Sequence, residues 1–84
     1  MFERPKPSEI PDQPGAYFFR DKHGKVIYVG KAKSLRGRVA SYFGVGLHPR
    51  TQAMVDNAQS VDWIITESEV AAARAIARLA RVAE

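Results

Sequence analysis

The segment GAYFFRDKHGKVIYVG, residues 15–30, has the pattern of an antiparallel β-hairpin. Residues 16–20 and 25–30 are rich in aromatic and β-branched side chains, which favour strands. The four residues between them, DKHG at 21–24, are typical of a turn. The sequence therefore predicts two strands joined by a short loop that contains glycine.

Side chains alternate between the two faces of a strand, which assigns the residues of the second strand. Val26 and Tyr28 are predicted to share one face, and Ile27 and Val29 are predicted to share the other. Tyr17 and Tyr28 thereby lie on neighbouring strands of one hairpin.

The rest of the chain predicts three helices and one further strand. In chain order they are a helix at residues 34–43, a helix at 50–59, a strand at 61–66 and a helix from residue 69 to the end. Ser34 and Ser68 are the predicted N-caps of the first and last helix, and Gly44 is the predicted C-terminal cap of the first. The expected fold class is α/β (α+β), a single small domain of order β-β-α-α-β-α with a three-stranded, mostly antiparallel sheet flanked by helices.

The two ends of the chain differ in composition from its middle. Residues 1–14 contain four prolines and are predicted to form an N-terminal lead with no more than one helical turn, at residues 8–10. Residues 69–84 hold seven alanines and three arginines and are predicted to form an atypical helix rich in these two residues. Its thin apolar stripe is predicted to cover the sheet, and it consists of Ala72, Ile76, Leu79 and Ala83.

The composition excludes several classes of protein. A chain of 84 residues with 45% hydrophobic residues suffices for one domain with one small core. Because there is no cysteine, a disulfide framework and a thiolate zinc site are excluded. No apolar run approaches the ~20 residues that span a bilayer, and the first ten residues lack the apolar stretch of a secretory signal. We expect a soluble, cytoplasmic, monomeric domain with no membrane association.

The positive charge is concentrated in the middle of the chain. Residues 20–50 hold eight basic residues and one acid, a net charge of +7, whereas the flanks carry −3 of the total of +4. This distribution indicates a surface that faces a polyanion. The alternative is a charged face that is only solvated.

Two phenols and two cations form a candidate site for cleaving phosphodiesters. A phenol such as Tyr17 or Tyr28 can accept a proton if nearby cations lower its pKa from about 10. Lys31 follows Tyr28 closely enough to do so, and Arg38 offers a planar fork of donors suited to a phosphate. Tyr42 lies one helical turn beyond Arg38 and can reach the same phosphate. The alternative is that the two hairpin tyrosines are ordinary cross-strand aromatics whose hydroxyls reach solvent, with Arg38 exposed.

Residues along most of the chain resemble the GIY-YIG endonuclease family, and within it the UvrC type, which belongs to the excinuclease ABC system of bacterial nucleotide excision repair. The resemblance covers about residues 9 to 70. Its motifs are Gly15-Ala16-Tyr17, Tyr28-Val29-Gly30-Lys31-Ala32-Lys33-Ser34-Leu35, Arg38 and Ser41-Tyr42-Phe43, with Leu47-His48-Pro49-Arg50-Thr51 and Ser60-Val61-Asp62-Trp63 as further support.

The resemblance implies a DNA endonuclease domain that makes the incision 3′ to a lesion by metal-assisted phosphodiester hydrolysis. By it, Tyr28 is the general base with Tyr17 beside it, and Lys31 tunes the phenol. Arg38 stabilises the scissile phosphate and Tyr42 supports the site. Within the basic segment, the residues predicted to bind DNA are Lys33, Arg36 and Arg50.

The resemblance also implies partners. Full-length members of the family carry a second nuclease domain, DNA-binding helix-hairpin-helix motifs and a segment that docks the repair partner UvrB. These parts exceed what 84 residues can hold. We therefore expect DNA as the partner of this chain, without a docking segment for UvrB.

One divalent cation, Mg²⁺ or Mn²⁺, is the cofactor that the resemblance implies. The family holds it with a glutamate on the helix after the third strand. With Glu69-Val70 in register, that position falls on Ile76, and an aliphatic side chain cannot ligate Mg²⁺. The nearest carboxylates are Glu67 and Glu69, so the metal ligand of this chain is left unassigned.

The missing glutamate favours an alternative function, a catalytically disabled DNA-binding or docking module of the same fold. One hypothesis is that the segment from Glu69 is a rewritten or frame-shifted ending joined to a nuclease start. A third interpretation is a small α/β interaction domain whose charges are incidental.

Overall fold

The predicted hairpin forms and becomes two strands of a three-stranded antiparallel sheet. The structure, a computed structural model, describes the backbone of residues 5–83 and the side chains of residues 5–79. Strand β1 (Gly15–Arg20) pairs with β2 (Val26–Ala32) on one side and with β3 (Ser60–Ile65) on the other. The strand order β2-β1-β3 leaves β2 at an edge of the sheet. The three-stranded antiparallel sheet confirms the predicted fold class.

Hydrogen bonds to an aspartate side chain and a glycine with a positive φ stabilise the hairpin turn. The Asp21 carboxylate accepts hydrogen bonds from the backbone N–H groups of His23, at 2.9 Å, and Lys25, at 3.0 Å. Gly24 adopts a φ of 79°, in the left-handed region that favours glycine. These contacts close the loop between β1 and β2.

A β-bulge in β2 overturns the predicted division of its side chains between the two faces. Phe19 lies opposite Tyr28 and Arg20 lies opposite Val26, so Ile27 is an extra residue without a partner. Val26 and Tyr28 therefore point to opposite faces, as do Ile27 and Val29. The prediction was wrong because strict alternation holds only where the pairing of the strands is regular.

Helix α1 (Leu35–Ser41) is two residues shorter at its C-terminal end than predicted. Ser34 is its N-cap, as predicted, with Oγ accepting a hydrogen bond from the Gly37 N–H at 3.2 Å. The chain then tightens, because the N–H groups of Tyr42 and Phe43 bond to carbonyls three residues back. Gly44 does not form the predicted left-handed cap, since among the described residues only Gly24 and Gly46 have a positive φ.

Helices α2 (Pro49–Asn57) and α3 (Glu69–Ala83) complete the predicted element order. His48 caps α2, with Nδ1 accepting a hydrogen bond from the Arg50 N–H at 3.1 Å. The Ser68 hydroxyl accepts from the Ala71 N–H at 3.1 Å, as an N-cap of α3 should. No helix in the described part of the chain is long and apolar enough to cross a membrane.

Apolar side chains pack on both faces of the sheet. The cluster on the face of α1 consists of Ile10, Tyr17, Phe19, Ala32, Leu35, Val39 and Ala58. The smaller cluster on the face of α3 consists of Ala16, Phe18 and Ala72, with Val29 and Ile76 packed against it. Of the predicted α3 stripe, Ala72 and Ile76 thus reach the sheet and Leu79 stays 44% exposed, while the side chain of Ala83 lies outside the described residues.

The N-terminal lead is an integral part of the domain from Pro5 onward. Pro7–Glu9 form a short 3-10 helix, and the Ile10 side chain is buried in the core. Carbonyls of the lead accept hydrogen bonds from the start of α1, including two from Arg36 Nε, to Pro7 at 3.0 Å and to Ile10 at 2.9 Å. Residues 1–4 of the predicted lead lie outside the described residues.

Candidate active site

Three tyrosines from three different segments meet on the α1 face of the sheet. The ring centroids of Tyr17 in β1 and Tyr28 in β2 lie 6.3 Å apart. Tyr42, which follows α1, lies 5.7 Å from Tyr17 and 6.1 Å from Tyr28. The Phe19 ring packs against all three. We call the three tyrosines the tyrosine cluster, and in it the two hairpin tyrosines share a face of the sheet.

The two glycines of the hairpin motif are required by close approaches. Gly30 lies opposite Tyr17 across the strand pair, and a Cβ at Gly30 would overlap the Tyr17 ring. A Cβ at Gly15 would overlap the Ile64 carbonyl oxygen and lie 2.8 Å from the Leu35 side chain. Glycine at these positions lets the Tyr17 ring lie flat on β2 and lets β3 and α1 pack closely on the start of β1.

Two of the three hydroxyls bind each other. The Tyr17 and Tyr42 hydroxyl oxygens lie 2.6 Å apart, within hydrogen-bonding distance. Burial raises the pKa of Tyr17, and the opposing effects of the Tyr42 hydroxyl and the positive charge of Arg38 only partly offset it. Burial also raises the pKa of Tyr42, with hydrogen bonds to Tyr17 and Tyr28 adding to the effect. Both phenols therefore stay protonated at neutral pH, and either hydroxyl can donate the hydrogen bond that joins them.

The third hydroxyl belongs to an exposed side chain on a cleft. Tyr28 is 41% exposed, whereas Tyr17 is 2% exposed. Tyr28 and Tyr42 form one wall of a cleft of about 250 Å³, and Arg50, Thr51 and Met54 of α2 form the other. The predicted alternative, in which both hairpin hydroxyls reach solvent, fails for Tyr17, because its hydroxyl is bound to Tyr42.

The structure brings some of the predicted cations to this cleft and places others elsewhere. Arg50 lines the cleft, and Arg38 is exposed on α1, near enough for its charge to act on Tyr17. Lys31 lies opposite Ala16 in β1, on the face of α3 and not on the face of the tyrosine cluster. Lys33 is exposed at the end of β2, and Arg36 binds backbone carbonyls of the lead.

Thr51 and Met54 belong to the cleft but were not among the predicted site residues. They line it together with Tyr28, which lies more than 20 positions earlier in the sequence. No local pattern in α2 marks such a position, because it depends on how the helix packs. Gly30 belongs to the hairpin motif, yet only the structure shows that it makes room for Tyr17.

The residues of the cleft do not suit a magnesium ion. Mg²⁺ is held through carboxylate oxygens and water, and the cleft is lined by two phenols, a threonine, an arginine and a methionine. Within residues 5–79, no group of three histidine, aspartate or glutamate side chains is placed to hold a metal. Ile76, at the position that the resemblance assigns to the ligand, packs against the cluster on the face of α3.

Comparisons with known proteins agree with the fold. Residues 13–79 match the family of the UvrC-like GIY-YIG domain. The UvrABC system protein C of Streptomyces avermitilis is 65% identical over 71 residues, which are 82% of this chain and 10% of that protein. The same protein of Mycobacteroides abscessus is 61% identical over 71 residues, 82% of this chain and 11% of that protein. The chain thus spans about a tenth of the length of these relatives.

A solved structure shows the same architecture. The crystal structure of the GIY-YIG N-terminal endonuclease domain of UvrC from Thermotoga maritima superposes with a TM-score of 0.75 at 32% identity, covering 86% of this chain and 79% of that one. That domain is bound to its catalytic divalent cation, magnesium. The resemblance predicted from the motifs is therefore confirmed, together with the fold class. This chain belongs to the family of UvrC-like GIY-YIG domains.

Proposed function

We propose that this chain binds the phosphodiester backbone of DNA at the tyrosine cluster and serves as an endonuclease domain that incises 3′ to a lesion. The observation that supports this most directly is the cleft, which has a volume of about 250 Å³ and is lined by both the exposed Tyr28 and Arg50. A cleft with a proton acceptor on one wall and a cation on the other suits an anionic substrate. The concentration of basic residues between positions 20 and 50 supports the same substrate class.

Tyr28 is the general base of the proposed reaction. Tyr28 is the exposed tyrosine of the cluster and lines the cleft. Once its phenol has given up its own proton, the phenolate oxygen can take a proton from a water molecule as the water oxygen attacks phosphorus. The bond from phosphorus to the leaving sugar oxygen then breaks, and that oxygen takes up a proton from solvent. Tyr17 and Tyr42 hold their protons, because burial raises the pKa of both. Tyr17 holds Tyr42 in place through the hydrogen bond between their hydroxyls, and Tyr42 lines the cleft beside Tyr28.

Arg38 and Arg50 bind the phosphate from two directions. Attack by water adds negative charge to the phosphoryl oxygens, and a guanidinium donates paired hydrogen bonds to such oxygens. Arg38 lies on the α1 side of the cluster and Arg50 on the α2 side. Lys33 extends the positive surface and Lys31 remains a proposed site residue, although it lies on the other face of the sheet.

The same geometry fits a second candidate function, a DNA-binding module that does not cleave. The observation in its favour is that none of the residues lining the cleft is a carboxylate. Lesion targeting and contact with a UvrB-type partner belong to the much longer relatives. For this chain they are proposed only as part of a longer repair protein, since it spans about a tenth of those relatives.

Cleavage and binding of a labelled DNA duplex with a central lesion test these proposals together. For a nuclease, we expect the parent to cut 3′ to the lesion, and Tyr28→Phe and Arg38→Ala to lower the rate at least about 100-fold while both variants stay folded. Arg74→Ala, on the exposed side of α3, is the matched control and should cut as the parent does. If Tyr28→Phe cuts as fast as the parent, the assignment of the base is wrong.

Fluorescence anisotropy across a salt series distinguishes a DNA-binding module that does not cleave from an interaction domain whose charges are incidental. Binding through phosphates weakens as salt rises, and Arg50→Ala should reduce the slope of log K against log salt by about 1. Salt-sensitive binding without any cut would support the non-cleaving module. A parent chain that does not bind DNA would contradict both functions.

A further inference from the structure

The α3 face that packs on the sheet consists of hydrocarbon side chains, which offer no oxygen to a cation. Ala72 is fully buried against Ala16 and Phe18, and Ile76 packs on the same cluster one turn later. Val29, the strand neighbour of Tyr28, packs there as well. Ile76 is the position that the resemblance assigns to the cation ligand, and its surroundings on this face offer no oxygen ligand among the cluster side chains.

The described carboxylates lie elsewhere and several have other partners. Asp62 pairs with Arg20 at 3.0 Å, and Asp12 accepts a hydrogen bond from the Ser34 hydroxyl at 2.5 Å. Asp21 and Asp56 lie around a different cavity, beside the hairpin turn. Glu69 begins α3, seven residues before Ile76, which places it about 10 Å away along the helix axis.

We infer that this chain does not hold the divalent cation that the Thermotoga maritima domain binds, and that Ile76 is the residue that excludes it. The inference rests on the proposed function only in taking this chain as a relative of an endonuclease domain that binds a cation. It follows that DNA binding by this chain does not depend on a divalent cation, and that any cleavage persists in a chelator. A single carboxylate at position 76 should restore a cation site.

Mn²⁺ binding to the full 84-residue chain tests the inference without measuring activity. Titration calorimetry and thermal unfolding, with and without Mn²⁺, are compared for the parent and for Ile76→Glu. We expect no binding heat and no shift in Tm for the parent. For Ile76→Glu we expect a lower Tm in chelator, one bound Mn²⁺ per chain and a rise in Tm when Mn²⁺ is added.

Two variants control for size and for charge. Ile76→Gln has nearly the shape of the glutamate without its charge, and Ala77→Glu adds a carboxylate on the exposed side of the same helix. Neither should bind Mn²⁺. If Ala77→Glu binds as Ile76→Glu does, the gained site is not specific to position 76 and the inference about that residue is wrong.

Mn²⁺ binding to the parent chain tests by itself whether the chain holds a divalent cation, even if Ile76→Glu fails to fold. One Mn²⁺ bound per parent chain would overturn it. A folded Ile76→Glu that binds no Mn²⁺ would overturn the assignment of position 76. Failure of the proposed function is seen separately, as a parent chain that gives the expected metal result but does not bind DNA in the anisotropy series.

Discussion

Gly30 lies opposite Tyr17 across the β1–β2 pair, and the Tyr17 ring covers its backbone. The tyrosine cluster depends on this approach, because the Tyr17 hydroxyl must reach the Tyr42 hydroxyl at 2.6 Å. A side chain at Gly30 would push the ring away from β2 and break that hydrogen bond. The site is thus held in place by a residue that takes no part in the chemistry.

Gly30→Ala is expected to destabilise the chain by about 1–3 kcal/mol, because the added methyl overlaps the Tyr17 ring in a packed core. The matched control is Gly37→Ala in α1, where the nearest atom to an added Cβ is the Ser34 Oγ at 3.6 Å. That variant should be stabilised by up to about 1 kcal/mol, since alanine favours a helix over glycine. Urea unfolding measures both, and equal effects of the two substitutions would contradict the packing described for Tyr17.

At the scale of elements, α3 is attached to the sheet by few side chains. Ala72 and Ile76 are its described contacts with the cluster on that face, and Ala72 offers only a methyl group. Leu79, one turn later, is nearly half exposed. Because alanines occupy so much of the helix, a large share of its apolar contact with the sheet comes from Ile76. Ile76, the residue that we infer excludes the cation, therefore also packs α3 against the sheet.

Ile76→Ala should lower the free energy of unfolding by about 1–2 kcal/mol, below the range for a fully buried isoleucine because the side chain is half-buried. Leu79→Ala serves as the comparison and should cost less than about 0.5 kcal/mol. Urea unfolding of both variants, with circular dichroism as the probe, checks the difference. A larger loss for Leu79→Ala would show that α3 packs through a different face.

At the scale of the whole molecule, the phenols of Tyr17 and Tyr42 couple folding to pH. Tyr17 and Tyr42 both have raised pKa values in the folded chain, with burial as the main cause. In the unfolded chain a tyrosine titrates at about pH 10. Above that pH the unfolded state releases protons that the folded state retains. The resulting stabilisation is complete below about pH 10 and is lost as the pH rises further.

We therefore expect the free energy of unfolding to fall as the pH is raised above about 10. The double variant Tyr17→Phe/Tyr42→Phe should show a shallower fall, because the two phenols with raised pKa values are gone. Urea unfolding at a series of alkaline pH values measures both slopes. Identical slopes would mean that the two hydroxyls are not protected from ionisation by the fold.

Much of the architecture was predictable from the chain because it depends on local signals. The hairpin follows from β-prone runs around a turn, and the N-caps follow from Ser34 and Ser68. The C-terminal end of α1 could not be predicted in this way. There the N–H groups of Tyr42 and Phe43 bond to carbonyls three residues back, and no glycine with a positive φ ends the helix at Gly44. The Tyr17–Tyr28 pair was predictable because both motifs lie in one hairpin.

The sequence by itself determined the elements, their order and the family, since these rest on residue types and short-range spacing. Only the tertiary structure decided which side chains share the cleft. The bulge at Ile27 sets the faces of β2, and the packing of α2 brings Arg50 to Tyr28. Packing also brings the Arg36 side chain to the N-terminal lead, where it donates hydrogen bonds to backbone carbonyls. These outcomes depend on contacts between residues far apart in the chain, whose geometry is set by packing and strand register rather than by any local pattern.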